Sequence, residues 1–190
     1  SNANISLVRL NLGELYGKAG RLKDAIIEWE AALKLNPSLL PAHFNMGTAY
    51  MMTGKLESAE ITFKYCLRLK SQYVPALFNL AKVYQMQEKW GKSTQQFKAF
   101  LEVTGPKPSA YTHIGFNFNK QLDWENAQVF LEKSISLQPD NVDTRVYLAE
   151  TLGNLGKIEQ AREQLQTALN TNPAQSATIN KMMLSLTSLQ

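Results

Sequence analysis

The sequence predicts an all-α protein built as a solenoid of stacked helix pairs, and three observations predict it. Short strings recur at a fixed step of 34 residues: NLGELY at 11–16, NMGTAY at 45–50 and NLAKVY at 79–84. Between them the apolar residues keep helical spacing, as in Leu12, Tyr16, Leu22, Ala25, Ile26, Trp29 and Ala32. No segment shows the alternation that a strand needs.

Taken in order, Ser1-Asn2-Ala3 reads as the remnant of a cleaved expression tag and is set aside, which leaves one domain over 4–190. Units follow at 6–39, 40–73, 74–107, 108–141 and 142–175, and then a lone terminal helix from 176 to 190. Each unit repeats the same landmarks. A small residue stands at Gly13, Gly47, Ala81, Gly115 and Ala149, and a second at Ala25, Ala59, Ser93, Ala127 and Ala161. A large apolar residue comes four later, at Trp29, Phe63, Phe97, Leu131 and Leu165. The units close on Pro37, Ser71, Gly105, Pro139 and Pro173.

Two helices fit in each unit. Gly20, Gly54 and Gly156 mark the break between them, while Pro41 and Pro75 sit where the first turn of a helix tolerates proline. Glu88 and Leu122 stand where the other units have the mid-unit glycine, so the turn geometry is expected to differ there. Glycine inside a helix costs up to about 1 kcal/mol relative to alanine, so Gly13, Gly47 and Gly115 need a compensating close approach. Gly47 against Ala59 would supply one, with Trp29, Phe63 and their counterparts filling the space between successive units.

This register, with Leu12-Gly13, Tyr16, Ala25, Trp29, Ala32 and Pro37 in the first unit, resembles the tetratricopeptide repeat, a helix-turn-helix module. The resemblance covers residues 6–190 and implies antiparallel helix pairs wound into a right-handed superhelix. It also implies a protein-interaction scaffold whose first helices line a concave groove that takes an extended peptide.

Composition fits that reading. The chain has 44% hydrophobic and 19% charged residues, the makeup of a soluble folded protein, and no run approaches the roughly 18 apolar residues of a membrane span. Its net charge of +4 is interspersed, and the densest basic cluster, Lys64, Arg68 and Lys70, is partly answered by Glu60, which argues for a solvated face and no nucleic-acid partner. One cysteine excludes an intrachain disulfide and a multi-cysteine metal site; the compartment stays open, with the cytoplasm favoured over the periplasm.

Catalytic and cofactor chemistry is not expected. WGKS at 90–93 mimics the end of a phosphate loop but has Met86 where the loop needs glycine, and no strand precedes it. His43 and His113 fall at different places in their units and are expected to pack, not to share a metal. Cys66 stands at the position of Ala32 and Ala168, as a small buried side chain.

Helical phase then selects the groove residues. If Leu12, Gly13 and Tyr16 face the second helix, the opposite side of the first helices carries Leu7, Leu10, Asn11, Glu14 and Lys18. The later units add Phe44, Asn45, Thr48, Met51 and Met52, then Phe78, Asn79, Lys82 and Met86. Thr112, His113, Phe116, Asn119 and Lys120, then Val146, Tyr147, Glu150 and Asn154, complete the row. Asn11, Asn45 and Asn79 could read the backbone of an extended ligand, or bond a neighbouring helix and water. Phe44, Phe78, Met51, Met52 and Met86 could form an adaptable apolar surface, or belong to the core. The row of amides ends where His113 and Tyr147 take its place, and an asparagine ladder of this kind resembles that of O-linked N-acetylglucosamine transferases. The basic carboxylate clamp of the family is disfavoured, because its places hold Leu10 and Glu14.

Three functional readings follow. The chain is a non-enzymatic scaffold for an extended partner segment, a substrate-recruiting or targeting arm of a larger enzyme such as a glycosyltransferase, or an assembly platform working through its ends. The last rests on the apolar terminal helix, with Met183, Leu184 and Leu189, as a homo-oligomer contact; at the start, Leu7 and Leu10 are expected exposed, where further sequence could cover them.

Overall fold

A computed structural model of the chain describes residues 2–187. Eleven α-helices and one turn of 3-10 helix run through them, and no strand occurs among the described residues. They are α1 (Asn2–Lys18), α2 (Leu22–Leu35), α3 (Leu40–Met52), α4 (Leu56–Leu69), α5 (Val74–Met86) and α6 (Trp90–Thr104). Next come α7 (Pro108–Lys120), α8 (Trp124–Leu137), α9 (Val142–Asn154), α10 (Ile158–Thr171), the short turn Pro173–Gln175 and α11 (Ser176–Thr187). Of the residues set aside as a tag remnant, Asn2 and Ala3 open α1, and Ser1 lies outside the described residues. So do positions 188–190, and with them Leu189.

The helices pack as consecutive pairs, α1 on α2, α3 on α4, α7 on α8 and α9 on α10, each pair also touching its neighbour in its own half. The chain forms two compact units, one up to Gln96 and one from Phe97 onward.

In the first unit, Leu10, Ala25 and Trp29 form one core with Ala42, Met46 and Ala49, while Phe63 and Cys66 form another with Leu80, Val83 and Tyr84. Trp29 and Phe63 fill the space over the small residue of their own first helix and also pack against the following 34-residue repeat. Burying a side chain such as Phe63 fully contributes about 1.5–3 kcal/mol. Leu10 is a correction: expected exposed, it is 6% accessible and its carbonyl accepts the indole N–H of Trp29 at 3.3 Å. The helical phase drawn through Tyr16 and Gly13 is wide enough to take Leu10 into the core as well.

A Cβ added at Gly47 would lie 2.8 Å from Phe63 Cε1, so the large residue of the second helix is the nearest neighbour for which the glycine makes room. Gly13 does the same for Trp29, and Gly115 for Leu131, whose Cγ would be 2.5 Å from the added atom.

Every helix pair turns through the same hydrogen bond. The amides of Arg21, Lys55, Lys89, Asp123 and Lys157 donate to the carbonyls of Tyr16, Tyr50, Tyr84, Phe118 and Leu152 at 2.8–3.0 Å. The residue before each has positive φ: 76°, 73° and 73° at Gly20, Gly54 and Gly156, but also 58° at Glu88 and 60° at Leu122. The expected change of turn at those two positions does not occur. Tertiary packing on both sides holds the left-handed conformation at a cost of about 1–2 kcal/mol for a side-chain-bearing residue.

In the second unit, Leu131, Leu148, Leu152 and Leu165 form the core, and α11 adds Ile179 and Leu186 to it. Leu184, on the other face of α11, is 72% exposed.

Candidate functional site

The first helices of the first unit carry the amide row. Asn11 is exposed, and Asn45 and Asn79 are half-buried. The Asn45 side-chain amide donates to Glu14 Oε1 at 3.2 Å, and that of Asn79 donates to Thr48 Oγ1 at 3.5 Å. Each therefore reaches back to the first helix of the preceding repeat, at the same place in the register. That answers a question the sequence left open: the amide bonds a neighbouring helix, and only its N–H side is used. Neither Oδ1 accepts a hydrogen bond among the described residues, so each keeps its acceptor.

The apolar residues of the row divide. Met52 and Met86 are 68% and 50% exposed. Phe44 is half-buried, its ring 5.8 Å from Phe63 and 5.5 Å from Tyr73, so it belongs to the packed layer between α3, α4 and the start of α5. Met51 packs against the same core. Phe78 and Lys82 are half-buried on α5.

Beside Asn45 lies a pocket of about 260 Å³, with Trp29, Leu22 and Ala49 as its apolar floor and Glu14, Lys18 and Met52 at its sides. It exists because position 17 is glycine. An added Cβ there would sit 3.5 Å from Trp29 Cη2, in ordinary contact, so this position, unlike Gly13, has room for a side chain. Sequence reasoning named Glu14, Lys18 and Met52 but missed the pocket. The signal was present in the register, since the second repeat carries Met51 where the first carries Gly17.

In the second unit the row is aromatic. His113 stacks on Phe97 with centroids 4.8 Å apart and planes at 3°, and Phe116 meets Tyr147 at 5.2 Å with Lys120 over its ring. Burial, with Asp143 and Glu150 nearby, pushes the Tyr147 hydroxyl up and keeps it protonated. Asn119 is another correction. It is 5% accessible, donates to the Tyr147 carbonyl at 3.3 Å and accepts from Thr151 Oγ1 at 2.8 Å, so both its polar ends are occupied.

Gly153 and Glu150 repeat the places of Gly17 and Glu14 four periods later. They line a smaller pocket of about 170 Å³, and there Leu186 of α11 lies across the glycine, its Cδ2 2.9 Å from where a Cβ would be.

The remaining reactive groups are engaged structurally. His43 Nε2 lies 2.8 Å from the Pro37 carbonyl and its ring 4.4 Å from Tyr65. Burial pushes the Cys66 thiol up to about 11, so it is not a thiolate at neutral pH. Among the described residues no group of three His, Cys, Asp or Glu side chains is placed to hold a metal, and no helix is long and apolar enough to cross a membrane.

Models of the tetratricopeptide repeat match residues 13–54, 40–73 and 120–183, which together span well over half of the chain. The chain belongs to the tetratricopeptide-repeat family, a class of protein-interaction scaffolds. No curated protein matches it in sequence. Among solved structures it is similar to MamA 41-end from Desulfovibrio magneticus RS-1, at 15% identity and a TM-score of 0.85, covering 90% of this chain and 96% of that one. A tetratricopeptide repeat protein from Parabacteroides merdae gives 17% identity and a TM-score of 0.86, covering 96% and 72%. YrrB, described as having an unusual peptide-binding site, gives 18% identity and a TM-score of 0.80, covering 95% and 90%. At these identities the likeness is one of fold.

Proposed function

We propose that this scaffold, acting as one domain over residues 4–190 and without catalysis of its own, binds an extended partner segment along the first-helix face. The amides of Asn45 and Asn79 would contact the ligand backbone, and the Glu14–Gly17 pocket would take an apolar side chain. The observation that carries the reading is the open acceptor of Asn45 beside a pocket floored by Trp29. The pocket's chemistry is supported by its counterpart, where the chain's own Leu186 lies over Gly153 between Glu150 and Leu165. An aliphatic or methionine anchor is therefore the expected side chain, with the backbone on either side held by fixed acceptors. This role is compatible with the chain being part of a larger protein.

The test is selection of peptides from a random display library on the full chain. Enriched sequences should carry a spaced aliphatic residue. They should lose binding to the triple variant Asn45→Ala, Asn79→Ala, Phe78→Ala and to Gly17→Met, which copies the second repeat's Met51 into the gap. Helical content should be unchanged by circular dichroism. Undiminished binding by both variants would sink the groove reading.

A further inference from the structure

Two members of the basic cluster that sequence reasoning assigned to a solvated face, Lys64 and Arg68, line a cavity that the amide row does not touch. This cavity, about 550 Å³, lies on α4, α5 and the start of α6, all in the first unit. Its lining is aliphatic, from Ile61, Leu67 and Leu80, with Tyr84, Lys64 and Arg68 at the sides. Ile61 is 68% exposed.

The charges around it do not balance. The ammonium groups of Lys64, Lys89 and Lys92 each lie 5.9 Å from the centre of the Tyr84 ring. One carboxylate, Glu60, serves two of them, with Lys64 at 2.6 Å and Lys89 at 3.0 Å. Lys92 has no ion-pair partner among the described residues. Neither has Arg68, whose guanidinium lies 4.9 Å over the Tyr65 ring. Four cations thus share one acid beside an apolar floor.

Like charges gathered beside a low-dielectric surface repel one another, and an anionic ligand relieves that repulsion while covering the exposed Ile61 side chain. The floor decides which anion. A single-stranded nucleic acid is held on aromatic faces where its bases stack, and the cavity's aromatic ring, Tyr84, is only 4% accessible. We infer that this face is a second docking surface, for an acidic partner segment that carries a bulky aliphatic side chain into the Ile61–Leu67–Leu80 cavity. It goes beyond the first-helix groove and uses none of its residues.

The test is fluorescence anisotropy on the full chain, with a labelled peptide of glutamates around a central Leu-Leu pair as the probe. Binding should appear at low salt and weaken as salt rises, because unpaired surface charges carry it. The double variant Arg68→Glu, Lys92→Glu should lose on the order of tenfold in affinity or more. So should Ile61→Ser, and so should a probe in which serines replace the leucines. Asn45→Ala with Asn79→Ala should leave the affinity unchanged, which separates this surface from the groove. Ile61, Arg68 and Lys92 are exposed, and circular dichroism checks that every variant stays folded. The inference is overturned if the wild-type chain does not bind the probe, if the charge-reversed or Ile61→Ser chains bind it equally, or if an oligothymidine strand binds as tightly as the peptide.

Discussion

Asn45 and Asn119 are both amides on first helices that reach a neighbouring first helix, yet they end in opposite states. Asn45 is half-buried, donates once to Glu14 and keeps its acceptor open. Asn119 is buried, with its N–H on the Tyr147 carbonyl and its oxygen taking the Thr151 hydroxyl. The second unit extends that closure: Thr112 joins Ser134 at 2.8 Å and Thr144 at 2.7 Å, and Ser134 donates to the Pro108 carbonyl. The pockets differ in the same sense, since Leu186 covers Gly153 while Gly17 is uncovered. One repeat design can therefore be finished as a surface with unmet bonding capacity or as a polar interior with none. A site is where that capacity is left.

The largest effect that would probe the comparison is on the packing both units share. Gly115→Ala should cost about 2–3 kcal/mol, because the new Cβ meets Leu131 Cγ and the Ala127 carbonyl. Gly47→Ala should cost less, as the Phe63 ring can shift and helix propensity returns up to about 1 kcal/mol. Thermal denaturation of the two variants ranks them; equal losses would mean that the ring over Gly47 is as fixed as Leu131.

Next is the contrast between the amides themselves. Asn119→Ala should destabilise the fold by about 2 kcal/mol, through two lost buried hydrogen bonds and a cavity. Asn45→Ala should stay within about 0.5 kcal/mol of wild type while weakening peptide capture. Urea midpoints decide it, and similar losses at both positions would erase the distinction.

A smaller effect is confined to the first unit. Burial would raise the Glu60 carboxyl, but the hydrogen bonds from Lys64 and Lys89 prevail and hold it at about 2, below its ordinary value near 4.5. Its contribution to stability is present above pH 4.5 and is lost as pH falls through about 2. With the lysines largely exposed and screened, about 1 kcal/mol should disappear over that window, and Glu60→Gln should remove the dependence. Denaturant titrations at several pH values measure it.

The smallest change should appear in both units alike. Glu88→Gly and Leu122→Gly each relieve a side chain at positive φ, against the extra chain freedom that glycine loses on folding. A gain of about 0.5–1 kcal/mol is expected at each. A loss at either would show that its side chain is needed where it stands.

The sequence alone determined the helix pairs, their order and the family, because a 34-residue period survives any single substitution and local spacing fixes each helix. It also pointed Asn45, Asn79, Met52 and Met86 to a common face. Only the tertiary structure decided which of those residues keep bonding capacity. Leu10, Phe44 and Asn119 share the row's phase but are taken up by Trp29, by Phe63 with Tyr73, and by Thr151. Phase gives a direction about one helix axis, whereas burial depends on the next helix and on the size of what it carries. The Gly17 pocket is the plainest case. A missing side chain is one letter in the sequence, and it becomes a cavity only where Trp29 forms the floor and nothing else fills the space.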